Sequence, residues 1–172
     1  ILPQIPVATV VGSLKIPAFF GTSVALTQYI KKVKIHWKLF TLMASLAFFS
    51  AYIGSYFLTI VNNDFMKPLL LVILIGMGIF TLLKKDFGMA TAKTINKKKL
   101  LIYAVLISII VGLYDGFIGP GTGTFFMICF VTFLKMDFLS ANTHAKLVNL
   151  ATNFGSICLF FIKGKVIWAI AI

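Results

Sequence analysis

The densest run of residues able to do chemistry is GLYDGFIGPGTGT, Gly112 to Thr124, with five Gly and one Pro in thirteen positions. Apolar sequence flanks it on both sides. In hydrocarbon an unpartnered backbone group is costly, so such a segment survives only packed in protein or lining a wet cavity. Gly119, Gly121 and Gly123 let the chain take positive φ and let a ligand approach the backbone. A helix starting after Gly123 would turn free N–H groups and a positive dipole end toward an anion. The hydroxyls of Thr122 and Thr124 add donors there. The plainer alternative is a close helix crossing over small residues; we favour the binding reading.

Asp115 lies inside this run. An ionised Asp at bilayer depth costs about 2.5–3.5 kcal/mol on insertion scales, so such groups face cavities, pair with cations or exchange protons. Proton coupling and a structural salt bridge both fit Asp115. Lys15 and Lys146 are cations set apart from the lysine-rich loops. Lys146 opens KLVNLATN, with Asn149 and Asn153 three and seven residues on. That spacing lays Lys146, Asn149 and Asn153 along one helical face, a cation and two amides suited to an oxyanion. The alternatives are that both lysines snorkel to headgroups or that Lys146 pairs with Asp115.

His144 could titrate near neutral pH, whereas His36 sits in a basic loop and reads as solvated. Cys129 and Cys158 lack metal-ligand spacing and read as small core residues. HExxH, GxSxG and P-loop patterns are absent, and four scattered Asp cannot build a two-metal site. Neither an enzyme nor a metal or cofactor site is expected.

The elements that must position these groups show in the hydropathy. Sixty per cent of the 172 residues are hydrophobic and 12% charged, with a mean hydropathy of +1.03. A soluble domain carries roughly a quarter charged residues. A soluble enzyme, a disordered chain and a secreted disulfide scaffold are therefore poor readings. Apolar runs cover Ala8–Ile30, Leu39–Val61, Pro68–Leu83, Leu100–Phe117 and Leu147–Ile162, and Val166–Ile172 begins another. The first is broken by Gly12, Lys15, Pro17 and Gly21. About 20 residues cross a hydrocarbon core of roughly 30 Å. Phe125–Leu134 is too short to cross alone. Pro68 is expected to open its helix, where a missing N–H costs nothing. The predicted fold is all-α: a polytopic transmembrane helical bundle with broken helices.

Sixteen Lys against four Asp leave a net charge of +12. The basic loops Lys31–Lys38 and Lys84–Lys99 are separated by two spans and so share a side. The loop Asn62–Lys67, nearly neutral, falls opposite. The positive-inside bias assigns the basic side to the cytoplasm, and lipid headgroups account for the lysines without nucleic acid.

A shift of 131 residues lays Lys15 on Lys146, Lys32 on Lys163, Lys34 on Lys165 and Trp37 on Trp168, the only two Trp in the chain. We read two pseudo-symmetric repeats in one membrane domain, residues 1–99 and 100–172. Repeats with broken helices are the layout of secondary transporters, with substrate held at the repeat interface. If the stretch Gly119–Leu139 crosses, the repeats are inverted; if it is a re-entrant hairpin, they are parallel. Inversion is the preferred outcome. A start at Ile1 and a stop within an apolar run suggest a first repeat lacking its N-terminal helix and a second truncated at its C-terminus.

GLYDGFIGPGTGTFF, then NTHAKLVNLATN, then a basic turn ahead of VIW, resembles the sulfite exporter TauE/SafE family of membrane permeases. The likeness is strongest over Gly112–Trp168, where Ala145, Lys146, Asn149, Leu150 and Asn153 match an AKxxNLxxN pattern. Lys15 matches the first-half pattern in part, since no Asn lies nearby. The resemblance implies a multi-pass transporter, in bacteria of the inner membrane, for sulfite, sulfonates or related small organic anions. The expected site combines Gly119, Gly121, Thr122, Gly123 and Thr124 with Lys146, Asn149 and Asn153, and with Lys15 from the other repeat. Asp115 is assigned to proton coupling. The expected partners are a small anion and the lipid bilayer. Homo-oligomerisation, a channel mechanism and a non-transporting scaffold stay open.

Overall fold

The starts of three helices follow capping side chains rather than the edges of the apolar runs. The computed structural model describes residues 5–83 and 95–171. Helix α1 spans Val7–Tyr29, and a short 3-10 turn, Ile30–Lys32, leads to α2, Trp37–Ile60. Helix α3, Asn63–Leu83, begins earlier than the expected Pro68. There the Asn62 side chain accepts the Asp64 N–H at 3.0 Å, which starts the helix and leaves Pro68 in its interior. Asn96 caps α4, Lys97–Phe117, by accepting the Lys98 N–H at 2.9 Å. After the break comes α5, Thr122–Thr132.

The largest difference concerns α6, Phe138–Ile162, expected only from Leu147. Asp137 caps it by accepting the Ser140 N–H at 2.9 Å. Its polar first turns turn inward, with Thr143 and His144 buried among neighbouring helices rather than in lipid. Hydropathy misses a helix face that is polar because it touches protein. A short α7, Trp168–Ala171, follows. Of the basic loop Lys84–Lys99, residues 84–94 lie outside the described residues. No strand occurs among the described residues.

Among the described residues four helices are long and apolar enough to cross a membrane: α1 with its 3-10 extension, α2, α4 and α6. Side chains such as Phe20, Phe49, Val72 and Ile110 are exposed, as a lipid-facing belt requires. Two apolar cores mark the ends of the bundle. One joins Phe40 of α2, Ala104 of α4, Phe130 of α5 and Ala141 of α6. The other joins Val7 of α1, Leu58 of α2, Met66 of α3 and Phe160 of α6. Helices α2, α4 and α6 therefore run one way, and α1, α3 and α5 the other. The Gly119–Gly121 turn sends α5 back toward the end where α4 began.

Small residues let α2 and α4 touch through their backbones. A Cβ on Gly116 would overlap the Ala51 carbonyl oxygen, and one on Gly54 the Leu113 carbonyl oxygen. The Ser55 hydroxyl ties the pair by donating to the Gly116 carbonyl at 3.1 Å. Helices α1 and α6 pack antiparallel: Gly12 lies against Phe160, Phe19 against Phe154, and Tyr29 under Lys146. The 131-residue shift carries the first residue of α1, Val7, onto that of α6, Phe138, and Trp37 of α2 onto Trp168 of α7. Helices α1 and α6, which the shift superposes, thus point in opposite directions.

Candidate functional site

The helix break survives because protein groups satisfy its backbone. Lys15 donates to the Asp115 carbonyl at 2.8 Å, and the Ile118 and Gly119 N–H groups return to the Tyr114 carbonyl. The Tyr114 hydroxyl donates to the Pro120 carbonyl at 2.7 Å. Gly119 and Gly121 take φ of +91° and +81°, values that a side chain would strain. These two glycines reverse the chain.

Asp115, in the last turn of α4, is 2% exposed. Its Oδ1 accepts from Lys15 Nζ at 2.8 Å and from the Thr122 hydroxyl at 2.7 Å. Its Oδ2 is buried and has no hydrogen-bond partner among the described residues. Lys15 is 5% exposed. Its ammonium binds both a carboxylate and the negative end of a helix, two favourable terms for a buried cation.

A cavity of about 390 Å³ opens beside this pair. Val7, Val11 and Leu14 of α1 and Leu70 and Leu74 of α3 make its apolar wall. Its polar wall holds Lys15, Asp115, Asn149, Asn153 and the backbone of the break. Gly121, the N-cap of α5, offers no side chain to the first N–H groups of that helix. The Asn149 amide lies beside Gly123, where a Cβ would meet its Nδ2 at 3.9 Å. Asn153 Nδ2 donates to the Asn149 carbonyl at 2.9 Å.

Gly119, Gly121, Thr122, Gly123, Asn149, Asn153, Lys15 and Asp115 therefore share one cavity. Lys146 and Thr124 are not on its wall. The Lys146 ammonium sits 5.8 Å from the centroid of the Tyr29 ring. It lies two turns before Asn153, about 10 Å along the helix axis. The partner of Asp115 is Lys15, not Lys146. The Thr122 hydroxyl is turned toward Asp115 and the Gly119 carbonyl, not left free. The sequence reading overlooked the apolar wall; Val7, Val11, Leu14 and Ala18 at helical spacing around Lys15 are its signal.

His144 belongs to the other end of the bundle. Its ring stacks on Phe40 with centroids 3.8 Å apart, and Nδ1 faces the Ser140 carbonyl at 2.6 Å. Among the described residues no group of His, Cys, Asp or Glu could hold a metal ion.

These features define a multi-pass α-helical membrane protein with a polar cavity at a broken helix. Residues 1–172 match the sulfite exporter TauE/SafE family, and the chain belongs to it. It is 29% identical over 172 residues to the probable membrane transporter protein ORF9 of Sinorhizobium sp., covering all of this chain and 65% of that protein. It is 30% identical over 162 residues to the probable membrane transporter protein YfcA of Escherichia coli K12, covering 94% and 60% of the two chains. A probable membrane transporter protein of Haemophilus influenzae is 25% identical over 170 residues, covering 99% and 66%. The chain thus spans 65% and 60% of the first two relatives' lengths. No solved structure matches the chain.

Proposed function

We propose that the protein carries a small anion, of the sulfite, sulfonate or organic-acid class, across a membrane by alternating access. The observation behind this reading is the buried Lys15–Asp115 pair on the wall of a cavity at a helix break. Burying a charge is costly, so a pair held beside a solute-sized space points to a task rather than to stability. The anion would lie between the first N–H groups of α5, the Asn149 amide and the Lys15 ammonium, with the Thr152 hydroxyl holding Asn149 Oδ1 at 3.3 Å and Asn153 on the same wall. Lys146, toward the lysine-rich end, would meet the anion on its path. Residues 1–99 and 100–172 would be the two halves that rock, and the antiparallel course of α1 and α6 supports their inversion. The bacterial sources of the relatives support an inner-membrane location. The family name and the relatives' names favour transport over catalysis.

The test is flux of sulfite and ethanesulfonate in proteoliposomes of the full-length protein. Asn149→Ala and Lys15→Ala should each lower flux at least tenfold while leaving membrane insertion intact. Unchanged flux in both variants would sink the site.

A further inference from the structure

Resting on the anion-carrier reading, we propose that the site binds one proton, on Asp115, with each monovalent anion, so that the empty and the loaded site are both neutral. Among the described residues Lys15 and Asp115 are the charged residues on the cavity wall, and both are buried. Together they sum to zero. An anion seeks Lys15, the cation present there, yet two of the three Lys15 protons already serve Asp115 Oδ1 and the Asp115 carbonyl. Adding an anion to the intact pair would leave a net negative charge in a buried site, which desolvation penalises.

A proton on the carboxylate removes that penalty. It comes from water at the mouth of the cavity and adds to Asp115. Lys15 stays an ammonium and turns one donor from Oδ1 to the anion. The charges then read plus one on Lys15, zero on Asp115 and minus one on the anion. No covalent bond of the anion forms or breaks.

Asp115 Oδ2 is the natural seat for the proton, being buried without a hydrogen-bond partner among the described residues. An acceptor-only oxygen in that state is unfavourable, and protonation discharges it. The other groups around the carboxyl offer no rival. Helix α1 supplies Lys15, α5 the Thr122 hydroxyl, α6 the Asn149 and Asn153 amides, and α3 only Leu70 and Leu74. From α2 the nearby polar group is the Ser55 hydroxyl, bound to the Gly116 carbonyl. Tyr114, next in the chain, commits its hydroxyl proton to the Pro120 carbonyl. The pair also links α1 to α4, one helix from each proposed half, so discharging Asp115 loosens the latch that rocking must break.

The test uses the full-length protein with methanesulfonate and ethanesulfonate, which stay ionised throughout the working pH range, so any proton taken up enters the protein. In weakly buffered solution with an indicator dye, about one proton should be absorbed per anion bound. Over the pH range in which the loaded site alone is protonated, affinity should fall about tenfold per pH unit. Uptake into liposomes should ignore an imposed membrane potential. Asp115→Asn should bind either sulfonate with no proton uptake and with pH-independent affinity. Binding by the wild type with no proton uptake would overturn the inference and leave the anion site standing. Failure of folded wild type to bind either sulfonate at any pH would overturn the anion reading and this inference with it. The wild-type proton count needs no variant, so a misfolded Asp115→Asn does not blunt the test.

Discussion

At the scale of single residues, the chemistry concentrates on a pair 100 positions apart in the chain. Removing one partner of a buried ion pair strands the other, at a cost of about 3–5 kcal/mol. Lys15→Met should therefore destabilise the protein by that order in detergent. The double variant Lys15→Met with Asp115→Asn should lose less than the sum of the two single losses, read by thermal unfolding as a double-mutant cycle. Strict additivity would show that the two groups do not act on each other. Asp137 gives a milder case. The Ser140 hydroxyl and N–H hold its carboxyl below the usual carboxylate range. The folded state thus favours the charged form, and the contribution is present above the unfolded value of about 3.9. It is lost as pH falls through the lower folded value. The cap itself is worth about 0.5–2 kcal/mol. Asp137→Ala should lower Tm near neutral pH, and its gap to wild type should narrow below about pH 4. A gap independent of pH would contradict the capping role.

At the scale of elements, close backbone contact decides which helices sit together. Gly116 meets the Ala51 carbonyl where any side chain would collide, whereas Gly76 of α3 has nothing within 4 Å of where a Cβ would stand. Overpacking costs about 1–3 kcal/mol, whereas Gly to Ala in an uncrowded helix gains up to about 1 kcal/mol. Gly116→Ala should lower the melting temperature and Gly76→Ala should leave it equal or higher. Equal losses at both would show that the α2–α4 crossing does not depend on bare backbone. The break after α4 is held in the same economical way, by Lys15, Ser55 and Tyr114 acting as donors to its carbonyls.

At the scale of the whole molecule, the courses of α1 to α6 predict which loops share a side. With Cys129 and Cys158 replaced by Ala, cysteines at Lys34 and Lys98 should react with an impermeant thiol reagent from one face. Cysteines at Lys67 and Lys163 should react from the other. Labelling of Lys34→Cys and Lys163→Cys from the same side would rule out the inverted arrangement. The lysines of the 31–38 loop, Lys97–Lys99 and Lys135 gather at the end where α2, α4 and α6 start, in keeping with a cytoplasmic face.

Composition and periodicity alone determined that this is a helical membrane protein, because burying a helix in lipid demands long apolar runs whatever their partners. The presence of a break near Gly119 and the Asn149–Asn153 face were equally legible, since Gly density and amides in an apolar helix are local signals, although the break closes at Gly121 rather than at Thr124. The start of α6 at Phe138 was not, because Thr143 and His144 are polar on a face that meets protein, and hydropathy cannot tell protein from water. Nor was the partner of Asp115. Lys15 and Lys146 carry the same charge in similar surroundings along the chain, and only the antiparallel packing of α1 on α6 brings the first to the break and leaves the second beside Tyr29. An ion pair is set by distance in space, which a one-dimensional pattern of residue types does not contain.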